Sequence, residues 1–126
     1  MKPLLTLSAL YMGLLGLGFI LVPHAIGIGA VPADASRPLI AYLRILGSPF
    51  LGIGALNWTA RKLEPSPAHK AIILANTIGF GVAALVDVWG LFNGARQLAK
   101  VFVVIHLLFA IAFLRARAFV SAQLLR

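Results

Sequence analysis

The sequence predicts an all-α membrane protein, with four transmembrane helices packed as one antiparallel bundle. Three observations carry that prediction. Of 126 residues, 61% are hydrophobic and only 11% are charged, against about 45–50% and roughly 25% in ordinary soluble domains. The mean hydropathy is +1.00, and a fold this small exposes too large a share of its residues to keep that much apolar surface from water. The apolar residues also fall into four runs, each near the ~20 residues that an α-helix needs to cross ~30 Å of hydrocarbon. Lipid is therefore the expected solvent for most of a single domain spanning 1–126.

The first run, 4–22, ends at Pro23. Lys2 before it and Ala33-Asp34-Ala35 after it imitate a secretory signal, but the small residues lie too far beyond Val22 and the run is long for an h-region. It is read as a retained helix. The connection 23–37 is long, apolar and rich in Gly and Pro. A loop of this kind lies along the interface or folds back over the mouth of the bundle, where function often resides. The second run, 38–58, contains Pro49, which removes a backbone donor and frees the carbonyl of Ile45. A kink is expected there. The third run, 70–92, is preceded by Ser66-Pro67, an N-cap followed by proline at the first helical position. Asn93-Gly94 then stops that helix in a tight turn, so the third run and the fourth, 98–119, should form an antiparallel hairpin. Small residues (Gly13, Gly16 and Gly18; Ser48 and Gly52; Gly79 and Ala83) are spaced for close approach between helices.

The net charge of +8 arises from 11 Lys and Arg against 3 acids. The basic residues sit mainly at the ends of the apolar runs and are not gathered on one element with interleaved aromatics, so no nucleic-acid partner is expected. With four crossings, Lys2, Arg61, Lys62, Lys70, Arg115, Arg117 and Arg126 share the side of the termini. Only Arg37, Arg44, Arg96 and Lys100 fall opposite. The positive-inside rule then places both termini in the cytoplasm. Tyr42, Trp58 and Trp89 stand near span ends as interfacial aromatics do. The chain has no cysteine, which excludes thiolate catalysis, disulfide exchange, iron–sulfur ligation and cysteine-containing zinc sites.

Polar residues inside the spans are the candidate site. Counting rise along each helix puts Arg44 and Asp87 each ~9 Å from the outer face and His106 ~12 Å from it. A lone intramembrane charge costs ~2.5–3.5 kcal/mol on insertion scales, so such charges usually pair and face the bundle interior. The expectation is a buried polar layer of Arg44, Asp87 and His106, with the guanidinium paired to the carboxylate. The competing reading is that Arg44 snorkels to the headgroups and Asp87 sits beside Trp89 under the interface. Tyr11 and Asn76 fall at similar inner depths and are expected to form a second polar layer. Asn76, Gly79, Phe80, Ala83 and Asp87 lie along one face of the third helix. His106 suits a proton relay or a ligand as well as a plain interhelical bond. Haem would need a second axial residue at matching depth, and neither His24 nor His69 matches well. No metal site is expected.

Arg44-Ile45-Leu46-Gly47, followed by Gly52-Ile53-Gly54 and Trp58, together with four short spans and a long first loop, resembles the DoxX-like group of small bacterial four-helix membrane proteins. The resemblance implies an antiparallel bundle in a bacterial inner membrane and a role as a small subunit linked to quinone or oxidoreductase complexes. It carries no catalytic residue onto this chain. The functional expectation is thus an accessory or structural subunit of a larger bioenergetic membrane complex, in contact with lipid and with other subunits or further copies of itself. No motif implies a cofactor, although contact with a quinone or pigment is compatible. The alternative is a small transporter or channel using the Arg44, Asp87 and His106 layer. An enzyme acting on a quinone-like lipid ranks last, with Tyr11, Asn76, Asp87 and His106 as hydrogen-bonding groups.

Overall fold

The computed structural model describes residues 1–123. Among them every regular element is an α-helix: α1 (Lys2–Leu21), the single turn α2 (Pro23–Ile26), α3 (Arg37–Ala60), α4 (Pro67–Phe92) and α5 (Ala99–Gln123). The four longer helices are long and apolar enough to cross a membrane, and the chain is an integral membrane protein. Each helix extends past its apolar run at one end or both, where its terminal backbone groups can meet water in the headgroup region. Two compact units can be described separately, Leu5–Thr59 and Met1–Leu4 with Ala60–Arg126. Each is an antiparallel helix pair.

In the first unit, α1 and α3 meet through backbone. A Cβ at Gly47 would lie 2.5 Å from the carbonyl oxygen of Gly16, and one at Gly54 would lie 3.1 Å from the amide nitrogen of Gly13. Only glycine allows two helices to come this close. The register corrects the expectation for α3: the approaching residues are Gly47 and Gly54, seven apart, whereas Ser48 and Gly52 face outward. Phe19 stacks on Phe50 with ring centroids 5.8 Å apart. Buried Asn57 donates from Nδ2 to the hydroxyl of buried Ser8 at 3.0 Å, and that hydroxyl donates to the Leu5 carbonyl at 3.2 Å. The connecting loop folds back in part, since α2 lays Ile26 where a side chain on Gly18 would stand. Pro49 lies inside α3, which continues through it to Ala60.

In the second unit, Ser66 caps α4. Its backbone is extended at φ −157° and ψ 163°, its hydroxyl accepts from the His69 amide at 3.2 Å, and Pro67 opens the helix. Ser66→Ala should lower stability by about 1 kcal/mol, with Ser66→Asp close to wild type. Thermal unfolding in detergent measures both, and equal melting of Ser66→Ala and wild type would remove the cap from this account. At the far end Gly94 takes φ +79°, and the Asn93 and Ala95 amides both donate to the Gly90 carbonyl. The chain then returns as α5, which packs along α4.

The buried face of α4 is His69, Ile73, Asn76, Phe80 and Ala84. Gly79, expected on that face, is instead exposed. Phe80 is the centre of the pair's core, with its ring 4.5 Å from that of Phe109 and 5.7 Å from that of Phe113.

Candidate functional site: the Asp87–His106 pair

Asp87 lies on α4 six residues before the Asn93-Gly94 turn, and His106 lies on α5 a little deeper on the returning helix. Antiparallel packing brings them together. His106 Nδ1 and Asp87 Oδ2 are 2.5 Å apart. Their side chains are largely enclosed, 13% exposed for the histidine and 23% for the aspartate. The imidazole sits between aromatic rings, with Phe80 and Phe102 each at a centroid distance of 6.0 Å. Phe102 in turn lies under the guanidinium of Arg96, 5.2 Å from its ring centre.

This arrangement has a definite chemistry. With Asp87 ionised, Nδ1 carries the hydrogen and donates it to the carboxylate, which leaves the lone pair on Nε2. The carboxylate holds the ring in one orientation. Such a pair satisfies two polar groups between helices, away from water.

The other expected site residues are placed as follows. Arg44 belongs to the other unit and is exposed, which corrects the expectation that it is buried. Neither its guanidinium nor that of Arg37 has a hydrogen-bond or ion-pair partner among the described residues. Asn76 is buried and donates from Nδ2 to the Ile72 carbonyl at 2.9 Å. Tyr11 is half-buried on α1, in the unit that does not contain Asn76. His24 is exposed on α2. His69 is buried at the start of α4, with neither ring nitrogen hydrogen-bonded among the described residues. No cluster of three or more metal-ligating side chains occurs among the described residues.

The Ser8–Asn57 hydrogen bond was not anticipated. A signal for it was present: each is a polar residue within an apolar run, Ser8 near the start of the first and Asn57 near the end of the second. The two positions therefore match in depth. No protein-family model matches the chain, and no curated protein or solved structure is significantly similar to it. None of these comparisons supports the DoxX-like resemblance.

Proposed function

We propose that this chain is a small helical subunit of a larger membrane assembly, built with other subunits or with further copies of itself. The observation that supports this reading is a set of exposed small residues along α3 and the first half of α4. Ser48, Gly52 and Ala55 are exposed on α3, and Ala71, Ala75 and Gly79 on α4. A Cβ on Gly52 or Gly79 would meet nothing within 4 Å. Glycine in a helix interior is less favourable than alanine by about 0.5–1 kcal/mol. Gly47 and Gly54 repay that cost through the contact with α1, and a neighbouring helix would repay it at Gly52 and Gly79. The bioenergetic setting is the one that the DoxX-like resemblance implies.

Native extraction in a mild detergent followed by mass measurement tests the reading. The wild type is expected in a stoichiometric assembly. Gly52→Leu and Gly79→Leu should release it as a monomer with unchanged melting. A wild type that is always solitary, or variants that assemble normally, would defeat the proposal. The Asp87–His106 pair favours a second reading, a proton-linked transporter or channel in which this pair is the carrier.

A further inference from the structure

The start of α3 presents two cations with no counter-charge among the described residues. Arg37 and Arg44 are two helical turns apart, so they share one face and lie roughly 10 Å apart along the axis. Both are exposed, and so is Asp34, the nearest acid in sequence. Asp34 forms no ion pair with either among the described residues. The same face carries Ile40, Ala41 and Ile45. Together with Ala35 and the two arginines, these residues line an open groove of about 620 Å³. The groove is thus cationic at its edges and apolar along its floor.

Helix geometry orders these groups along the bilayer normal. The Cα–Cβ bond of a helical residue tilts toward the helix N-terminus, so Arg44 leans toward Arg37 and the headgroup region. Ile45 continues downward into the acyl region. An exposed arginine inside a span reaches for the interface. Its planar guanidinium fits the oxygens of a phosphate through two parallel hydrogen bonds and sheds water more readily than an ammonium.

We propose that this groove binds one anionic phospholipid, with its phosphodiester held by Arg44 and Arg37 and an acyl chain lying over Ile40, Ala41 and Ile45. Arg96 offers a contrast, since its guanidinium lies over the Phe102 ring. The lipid supplies Arg44 with the counter-charge that none of the described residues provides. It also fixes one leaflet, the one facing the α1–α3 connection, as the site of recognition.

Native mass spectrometry of the full-length chain tests this, using phosphatidylglycerol and phosphatidylcholine of the same acyl composition. Preferential retention of phosphatidylglycerol is expected. Arg37→Ala and Arg44→Ala should each weaken retention about fivefold, and the double variant about twenty-five-fold. Arg44→Lys, which keeps the charge and loses the fork, should fall between wild type and Arg44→Ala. Lys100→Ala should have no effect, and excess inorganic phosphate should not displace the lipid. Equal retention of both lipids would overturn the proposal, as would an unchanged Arg37→Ala variant or an equal loss in Lys100→Ala. Displacement by inorganic phosphate would show a site for free anions and would overturn it too. If Arg44→Ala does not fold, Arg37→Ala and Arg44→Lys decide the matter.

Discussion

Gly47→Leu should separate α1 from α3, while Gly52→Leu, five residues further along the same helix, should not. A Cβ at Gly47 would stand 2.5 Å from the Gly16 carbonyl oxygen and 2.7 Å from the Ile20 side chain, whereas at Gly52 it would meet nothing. The obstructing oxygen is backbone and cannot rotate aside, so the whole helix has to move. In water the hydrophobic effect would resist that movement. In lipid the tails solvate a parted helix as well as a neighbouring helix does, and close van der Waals contact at small residues is what holds the pair. Overpacking typically costs about 1–3 kcal/mol, and Gly47→Leu should lie at the upper end. Gly52→Leu should stay within about 0.5 kcal/mol of wild type. Unfolding in mixed micelles distinguishes the two variants, and coincident midpoints would mean that the glycine contact contributes nothing.

His106→Ala should cost about 2–3 kcal/mol, because it leaves the largely enclosed Asp87 carboxylate without its partner. The partial exposure of Asp87 keeps this below the figure for a fully buried charge. Replacing both residues with leucine should be milder than either single change, since no polar group is then stranded. The same micelle unfolding measurement reads the coupling, and additive effects would show that the pair does not act as a unit. Proton flux into liposomes addresses the transporter reading. If the pair carries protons, Asp87→Asn should reduce flux at least tenfold. Equal flux in both proteins would leave the pair with a structural role only.

The helical plan was legible because lipid solvation writes itself as unbroken apolar runs, and because Ser66-Pro67 and Asn93-Gly94 are local signals that act before any tertiary contact. The meeting of Asp87 with His106 was also within reach, since depth along a hairpin follows from counting residues back from its turn. Depth does not give azimuth, however. Counting residues gives Arg44 and Asp87 the same expected depth, yet Arg44 belongs to the other unit and is exposed, and nothing within one helix reports which way a residue faces. The same gap explains the glycines. Ser48 with Gly52 and Gly47 with Gly54 are both credible approach faces in the sequence, and only the position of α1 selects the second. Ser8 and Asn57 are harder to read, because each lies near the end of its apolar run, where a single polar residue also suits the headgroup region.

The tight return between α4 and α5 bears on how the protein is made. With only residues 93–98 between them, the two helices are able to enter the bilayer during synthesis as a preformed hairpin. Asp87 and His106 are then able to hydrogen-bond to each other as the hairpin forms, before either is presented alone to hydrocarbon. A hinge that lengthened this link would expose the carboxylate on a lone nascent helix, and the failure would appear as poor insertion rather than as lowered stability of the finished protein.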